Sequence, residues 1–470
     1  MYFYTIMHYP LRLTTAAILL LLLFSCRKET FTTDSNVRLW TGIDTLQFDT
    51  VFTTTGSVTQ GFKIFNRNEE GIQVESIHLA GGAASPFKIN INGQPGPQVS
   101  GLQIKGGDSA YVFVTVNINP NSANTPFIVQ DSVEIAYNGN STKVHLQAYG
   151  QNAHFLNNHI ITANEVWTSD KPYVITGGLR VQQGAQLTIS KGCRIYVHAA
   201  APFIVDGTLK VEGEKGEENK VIFAGDRLDE PYKMHPAGWP GIQFTANSSG
   251  NRIRFAQIKN TYRALLLHEP AHNNTPVLIL EQTIIDNAFE AGIMAIGSSI
   301  HAQNVVISNC GKNILIQKGG VYNFTHCTIT AYNSSFIQHK QPLVQLSNFF
   351  EKDNTITTKA LHMLFTNSIL WGESNGLVKD EIVLQQNSAS PFSVTFNGVL
   401  WNNEVTGAIV SGNSILQDPK FRSAEAKLYD FRLGENSPAV NKGVPTVVTL
   451  DADGAPRPVS LPDLGAYEQQ

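Results

Sequence analysis

Four copies of one short phrase lie between residues 254 and 330, and they decide the fold. The copies are RFAQIKN (254–260), EQTIIDN (281–287), QNVVISN (303–309) and THCTIT (325–330). Their alignment places Ile258, Ile285, Ile307 and Ile329 in one column, at spacings of 27, 22 and 22 residues by subtraction. A period of this length is typical of a solenoid, in which each unit buries its apolar face only against its neighbours.

The residues inside one period indicate which solenoid this is. Short runs rich in Val, Ile and Phe alternate with Gly, Asn and Ser, and no long stretch has the 3.6-residue spacing of a helix. Three copies of the isoleucine column are followed two residues later by Asn260, Asn287 and Asn309. Asparagine tolerates a left-handed turn, and stacked copies can hydrogen-bond as an amide ladder. The pattern therefore predicts a parallel β-helix.

These phrases closely resemble the coils of right-handed parallel β-helix proteins of the pectate-lyase type. The resemblance covers roughly residues 158–470 and includes GWPGIQF (238–244), NSILW (367–371) and NGVLW (397–401). Its most specific part is the ending, where SPAVNKG (437–443), DADGAPRP (451–458) and LGAYE (464–468) resemble many uncharacterised bacterial β-helix proteins. Since an open end would expose strand edges and an apolar interior, we expect residues 436–470 to cap a β-helix of residues 155–435.

Residues 37–150 have a different pattern, which is also that of β-strands. Together with the β-helix, it predicts that the protein belongs to the all-β class. Seven short alternating or apolar runs, separated by Gly, Asn and Pro turns, are typical of an immunoglobulin-like β-sandwich. The phrases GFKIFN (61–66) and VTVNINP (114–120) resemble sandwich domains of cilia-associated and bacterial surface proteins. We expect this domain to act in spacing or docking.

The first residues form a targeting segment. Arg12 precedes an apolar run over residues 13–24, which is too short to cross a bilayer comfortably and has the layout of a secretory signal. The run ends in LFSC (23–26), which resembles a bacterial lipobox and implies a lipid on Cys26. We therefore predict a signal peptide over residues 1–25, a tether over 26–36, and membrane contact through the lipid anchor only. Arg27 after the cysteine resembles outer-membrane lipoproteins, facing the periplasm or the cell surface.

Composition excludes some classes of function. The chain has 470 residues, 42% of them hydrophobic, and a formal charge of −4, which argues against a nucleic-acid binder. Beyond Cys26 there are three cysteines, Cys193, Cys310 and Cys327, and an odd number leaves at least one unpaired. We expect all three to be small buried residues, without a disulfide or metal role.

Two enzymatic motifs fail on their context. The segment HEPAH (268–272) matches the zinc-protease pattern, but that chemistry needs a helix, and Pro270 lies within the motif. A loop tip is the better interpretation. The polygalacturonase-type β-helix enzymes use acidic segments that are missing here, and only Arg252-Ile253-Arg254 resembles one of their motifs.

The candidate ligand-binding residues are Arg252, Arg254, Tyr262, Arg263 and Trp239. Strand alternation directs Arg252 and Arg254 outward, and Tyr262 and Arg263 follow within one coil. A lyase of the resembled family neutralises a uronate carboxylate and removes the adjacent proton with a basic residue, so such activity would fit an outward cationic strand. The favoured interpretation is a solvated face whose arginines are stabilised by neighbouring acids. The calcium site common in those lyases would need carboxylates near the arginines, and none is nearby in sequence. We therefore predict no catalytic residue, no metal ligand and no cofactor.

The loop DRLDEPYKMH (226–235), which leads to Trp239, is a second candidate. Its acids and aromatic residues suit a sugar subsite or a bound cation such as Ca²⁺, and they equally suit a polar corner between coils.

Taken together, the sequence predicts a lipid-anchored envelope protein whose β-helix binds polysaccharide without turnover. Two alternatives stay open at this point: a polysaccharide lyase or related carbohydrate-active enzyme acting near Arg252, Arg254 and Tyr262, and a structural surface spacer.

Overall fold

A computed structural model describes residues 29–270, 276–374, 376–403, 405–425, 428–458 and 460–469. The chain divides into two compact units between Gln151 and Asn152. Among the described residues the only helical segments are the short 3₁₀ turns Gly82–Ala84, Glu217–Asn219 and Tyr232–Met234, so the predicted all-β class is confirmed. No helix in these ranges has the length and hydropathy needed to span a bilayer. The predicted signal peptide and Cys26 lie outside the described residues.

The first unit is a two-layer β-sandwich, as predicted. One sheet contains Phe31–Thr32, Thr45–Phe52, Gly71–Leu79, Gln98–Ile104, Phe127–Tyr137 and Asn140–Gln151. The other contains Leu39–Thr41, Gln60–Asn66, Phe87–Ile91, Gln94–Pro95 and Ser109–Val116. Alternate residues of both sheets, such as Val74 and Val112, are fully buried in one apolar core. The strand Phe31–Thr32 pairs with Gly71 and Ile72, so the sandwich includes residues that the sequence analysis assigned to the tether.

The second unit is a parallel β-helix with three faces, which we call A, B and C. Face A contains Glu165–Trp167, Gln186–Ser190, Thr208–Glu212, Asn251–Arg254, Leu278–Glu281, Ser299–Gln303 and Gly320–Thr325. Face B contains His154–Leu156, Tyr173–Ile175, Arg194–Val197, Val221–Gly225, Ala256–Lys259, Ile284–Asp286, Val306–Ser308 and Thr328–Ala331. The longer strands Leu361–Gly372, Phe392–Trp401 and Ile409–Ile415 extend across faces A and B.

Face C contains His159–Ile161, Leu179–Val181, Phe203–Val205, Ile242–Phe244, Arg263–Leu267, Ala291–Ile296, Lys312–Gln317, Val344–Ser347 and Ile382–Gln385. Stacked at the usual strand separation, these nine strands extend for about 40 Å. Two hairpins lie outside the coils, Phe349–Lys352 with Thr355–Thr358 and Phe421–Ser423 with Asp430–Leu433.

The isoleucine column fills the interior of the β-helix, as predicted. Ile258 lies in register with Ile285, Ile285 with Ile307, and Ile307 with Ile329, and all four side chains are fully buried. Each coil thus removes one branched apolar side chain from water on this face, which stabilises the stack by roughly 1.5–3 kcal/mol per residue.

The corner between faces B and C confirms the predicted turn and only part of the predicted ladder. Asn260, Asn287 and Asn309 all have a left-handed backbone, with φ of 61°, 58° and 51°. The side-chain amide of Asn287 donates to Asn260 over 2.7 Å, but the amide of Asn309 donates to Asp286 over 3.2 Å. The corner amides are therefore available to hold other parts of the chain.

We define the C-terminal segment as residues 436–469. It lies along the side of the β-helix, which corrects the prediction that it caps the end. It follows the corner between faces A and B. The side chain of Asn367 bonds both backbone groups of Val444, and that of Asn304 donates to the Leu450 carbonyl over 2.8 Å. The segment lies there because face B carries a column of outward apolar side chains. Two of them, Ile369 and Leu400, are buried beneath the segment.

Candidate functional site

The predicted ligand-binding residues do not form one site. Arg252 lies on face A, where its guanidinium contacts Glu281 over 2.6 Å. Arg263 begins a strand of face C and makes two hydrogen bonds to Glu290, of 2.8 and 3.0 Å. Both cations are thus neutralised by acids of the next coil. These two ion pairs agree with the interpretation of a surface stabilised by neighbouring acids.

Arg254 is not neutralised in this way, and Tyr262 is uncharged and exposed. These two residues also lie on different parts of the surface. The Arg254 guanidinium lies over the ring of Phe255 and has no ion pair with a described acid. Tyr262 is exposed at the corner between faces B and C, where it stacks on Phe289. A hydrogen bond to Glu290 raises the pKa of Tyr262.

Trp239 is in the interior, so its prediction as a ligand-binding residue is wrong. The side chain is fully buried, close to Phe223, and its indole N–H donates to the Lys259 carbonyl over 2.9 Å. Trp239 was predicted as a ligand-binding residue because the acidic and aromatic loop of residues 226–235 leads to it. The indole instead fills the interior of its coil. Its N–H has a backbone partner, which is the usual condition for burying tryptophan.

The described part of HEPAH is not a helix. His268 and Glu269 follow the strand Arg263–Leu267, and His272 lies outside the described residues. Glu269 contacts the amino groups of Lys318 over 2.6 Å and Lys359 over 3.3 Å. Burial lowers the pKa of His268, whose ring contacts the Gln243 amide over 3.0 Å.

The three cysteines Cys193, Cys310 and Cys327 are buried, as predicted, and none of them is in a disulfide. Within the described ranges, no group of three or more His, Cys, Asp or Glu side chains is arranged to hold a metal ion.

A cavity of about 570 Å³ lies on face B and forms a candidate site. Its floor consists of outward residues of face B and of the adjacent corner: Lys259, Asn260, Ile284, Asp286, Asn287, Val306, Ser308 and Asn309. Its walls come from several separate segments, namely Glu217 with Lys220, Glu230, Pro231 and Met234, residues 334–336, residues 429–432, and Tyr467. The cavity thus joins parts of the chain that are distant in sequence.

The corner amides position one wall of this cavity. The side-chain amide of Asn260 donates to the Lys233 carbonyl over 2.7 Å, and that of Asn287 donates to the Met234 carbonyl over 2.9 Å. The 3₁₀ turn Tyr232–Met234 is therefore attached to the rigid stack. The loop of residues 226–235, predicted as either a sugar subsite or a polar corner, contributes Glu230, Pro231 and Met234 to the cavity.

Three of the four acids that line the cavity have a cationic partner. Glu217 pairs with Lys220, Glu230 pairs with Lys233 over 2.7 Å, and Asp430 pairs with Arg432 over 2.9 Å. The hydrogen bond from Lys220 lowers the pKa of Glu217. Each of these three acids is therefore held in an ion pair.

Asp286 differs from the other three acids because its partners are neutral. Its Oδ1 accepts from the Ser308 hydroxyl over 2.6 Å and from the Asn309 amide over 3.2 Å. Lys259 lies beside it in register on the neighbouring strand, and the two form no ion pair. The floor therefore offers one carboxylate and one ammonium group whose hydrogen-bonding capacity is incompletely used.

Aromatic rings make up much of the wall. Phe336 is partly exposed and packs against His235, with ring centroids 4.5 Å apart. Tyr429 stacks on Phe431 at 5.6 Å, and its hydroxyl donates to the Asn333 carbonyl over 3.2 Å. Burial, with the charges of Asp286 and Glu373, raises the pKa of Tyr429, so its hydroxyl stays protonated and can donate.

Most of this cavity was not predicted from the sequence, although one signal for it is present there. Ile284 and Val306 occupy outward positions of face B, where an exposed strand would carry polar residues. Apolar residues at such positions indicate that another segment covers them. The identity of that segment, near Phe431 and Tyr467, depends on contacts across more than a hundred residues, which no local pattern reveals.

No protein-family model and no curated protein matches the chain. Several solved structures are similar to part of it, among them the following three. A family 123 glycoside hydrolase from Clostridium perfringens shares 13% identity over 24% of this chain and 26% of its own length, with a TM-score of 0.18. The ASH/PapD-like domain 7 of human CEP192 shares 11% identity over 27% of this chain and 94% of its own, with a TM-score of 0.19.

The third structure, the E. coli chaperone DraB, shares 9% identity over 25% of this chain and 55% of its own, with a TM-score of 0.17. At these TM-scores the three likenesses carry no functional inference.

Proposed function

We propose that this protein is an exported, lipid-anchored envelope protein that binds polysaccharide on its β-helix without cleaving it. The proposed binding site is the cavity on face B. The observation that carries the proposal is the combination of aromatic walls with a floor of side-chain amides. The floor also holds the carboxylate of Asp286, whose hydrogen-bond partners are neutral. The lipobox-like LFSC (23–26) supports the lipid anchor on Cys26 and an outer-membrane location.

The chemistry of the cavity fits sugar rings. The C–H faces of a pyranose can pack on rings such as Phe336 and Tyr429, while its hydroxyl groups, which both donate and accept, pair with side-chain amides and donate to the Asp286 carboxylate. The charged groups around the cavity are largely paired, so its ligand is a segment of uncharged sugars rather than a run of uronates.

The arrangement favours binding over turnover. Glycoside hydrolysis needs two carboxyl groups across the scissile bond, one of them able to donate a proton. Here Glu217, Glu230 and Asp430 are neutralised by cations, which leaves Asp286 without an acid partner. A lyase reaction near Arg252 is disfavoured for a similar reason, since Glu281 already neutralises that guanidinium.

A glycan-panel experiment tests this function. The full chain is measured against soluble neutral and acidic polysaccharides by affinity electrophoresis, while reducing ends and the absorbance of unsaturated products are followed over time. We expect retention by a neutral polysaccharide without product. Phe336→Ala should weaken retention about fivefold to tenfold, the value of one aromatic contact.

The matched control is Phe289→Ala, which removes a more exposed ring outside the cavity and should leave retention unchanged. Retention by no neutral polysaccharide, or retention unaffected by Phe336→Ala, would overturn the assignment of the site. Accumulating product would overturn the claim that the protein does not cleave its ligand.

A further inference from the structure

The outer face of the five-stranded sandwich sheet carries a row of exposed aromatic side chains. Trp40 is 54% exposed, Tyr111 is 45% exposed and Phe113 is 43% exposed. Tyr111 and Phe113 alternate along one strand, and their rings are parallel within 6°, with centroids 5.7 Å apart. Trp40 lies on the same sheet, in register with Phe65. A sheet face that served only as a spacer would be expected to be polar at these positions.

The backbone makes room for one of these rings. Gly61 is directly opposite Phe113 on the neighbouring strand. A side chain at Gly61 would lie 3.2 Å from the ring of Phe113 and 2.9 Å from the Val112 carbonyl. Glycine at this position therefore leaves the space beside the Phe113 ring open.

Cations accompany the rings. The Lys63 amino group lies 4.4 Å from the centre of the Tyr111 ring, and the Arg67 guanidinium lies 5.3 Å from that of Trp40. Neither cation has an ion pair with any acid in the described ranges. Lys88 points outward from the adjacent strand. Cations held over exposed rings keep their charge available to a ligand.

The two sheets of the sandwich differ in charge. The five strands of the aromatic sheet contain Lys63 and Lys88 and no acidic residue. The strands of the six-stranded sheet contain the acids Asp49, Glu75, Asp131 and Glu134, with Lys143 as their single Lys or Arg. An anion approaching the sandwich is thus attracted to the aromatic sheet and repelled by the opposite one.

We propose that the aromatic sheet of the sandwich is a second binding surface, which takes an acidic polysaccharide. Its rings pack on sugar faces, its cations neutralise uronate carboxylates, and the side chains of Asn90 and Thr115 on the same face hydrogen-bond hydroxyl groups. This surface lies in the first unit and goes beyond the proposed function, which concerns uncharged sugars bound in the cavity of the second unit.

The probe for the test is polygalacturonate, titrated into the full chain. Trp40 is the one exposed tryptophan among the described residues, so its fluorescence should become protected from acrylamide quenching as the polymer binds. We expect this protection in the wild type and its loss as salt is raised, because charge attraction is screened. Dextran, which is uncharged, should give no protection.

Paired variants locate the binding. Phe113→Ala and Lys63→Gln should each weaken polygalacturonate binding about fivefold to tenfold. The matched controls on the opposite sheet are Ile128→Ala, which removes an exposed apolar side chain, and Lys143→Gln, which removes an exposed lysine, and both should bind as the wild type does. Far-ultraviolet circular dichroism checks that each variant is folded.

The outcomes separate this proposal from the cavity proposal. Phe336→Ala should leave polygalacturonate binding intact, since that ring is in the second unit. The proposal is overturned if the wild type gives no protection, if Phe113→Ala and Lys63→Gln bind like their controls, or if vesicles of phosphatidylglycerol or single-stranded DNA protect Trp40 when polygalacturonate does not.

Discussion

The guanidinium of Arg457 donates to the side-chain oxygen of Asn304 over 3.0 Å, across 153 residues of the chain. The same guanidinium pairs with Glu468 and donates to the carbonyl of Ala466 over 2.8 Å, and its side chain is fully buried. It therefore fixes the C-terminal segment to itself and to the corner between faces A and B. The segment that helps to enclose the cavity is thus part of the folded stack.

Arg457→Met should destabilise the protein by about 3–5 kcal/mol, since it leaves the Glu468 carboxylate buried without its counter-charge. The free energy of unfolding from urea denaturation measures this loss. Arg422→Met, at an exposed position, is the matched control and should change stability by less than about 0.5 kcal/mol. Equal stabilities of the two variants would contradict the role given to Arg457.

The outward apolar column on face B should be as sensitive as the interior. Ile369 points away from the interior, yet it is fully buried beneath the C-terminal segment with Leu433 and Leu464. Ile369→Asn should therefore lower the free energy of unfolding by about 3 kcal/mol or more. Ile279→Asn is the control, because Ile279 is outward on face A and partly exposed. A loss no larger for Ile369→Asn than for Ile279→Asn would show that the segment does not pack there.

His326 should make stability depend on pH in the acid range. Burial and the charge of Arg457 lower the pKa of His326 to about 3. Since the unfolded imidazole titrates near 6.5, the unfolded chain binds a proton that the fold excludes between these values, and stability falls as pH drops from about 6.5 to 3.

His326→Asn should make that decline shallower in urea denaturation series measured at each pH. Asparagine suits the position, because Asn304 and Asn367 occupy the same corner in the neighbouring coils with similar positive φ. His362→Asn, at an exposed site on face A, should keep the wild-type profile. A profile of His326→Asn parallel to that of the wild type would contradict the assignment.

The buried cysteines should be inert in the folded state. Burial raises the pKa of Cys193 to about 11 and that of Cys327 to about 12, and it also raises the pKa of Cys310. At pH 8 almost no thiolate is present, and the sulfur atoms are inaccessible. In a Cys26→Ser variant, a chromogenic disulfide reagent should report no thiol before denaturation and three afterwards. Rapid reaction of the native protein would place at least one cysteine at the surface.

The sequence predicted the parts of this molecule that repeat. Ile258 and Asn260 recur at coil spacing because each coil must present an apolar residue inward and turn at the same place. Trp239 could not be located in this way, since Gly and Pro flank both exposed loops and tight coil corners. The charges of Arg252 and Arg263 were visible, but their acid partners come from the next coil, 29 and 27 residues away.

The cavity itself was beyond local patterns for the same reason. Asp286 and Phe336 line the same cavity only because residues 334–336 and the C-terminal segment pack over face B of the stacked coils. The apolar residues at outward positions, such as Val306, indicated that face B is covered. They did not indicate by what.

The most direct test of glycan binding in the cavity is a fluorescent label within it. Because the native thiols are buried, Ser335→Cys on a Cys26→Ser background accepts one environment-sensitive label at the rim. Ser388→Cys, in an exposed turn outside the cavity, is the control. Titration with the neutral polysaccharide retained by the wild type should shift the emission of the label at position 335, at the concentrations that give retention, and leave the label at position 388 unchanged. An unshifted label at position 335 in a chain with the polysaccharide bound would contradict the account.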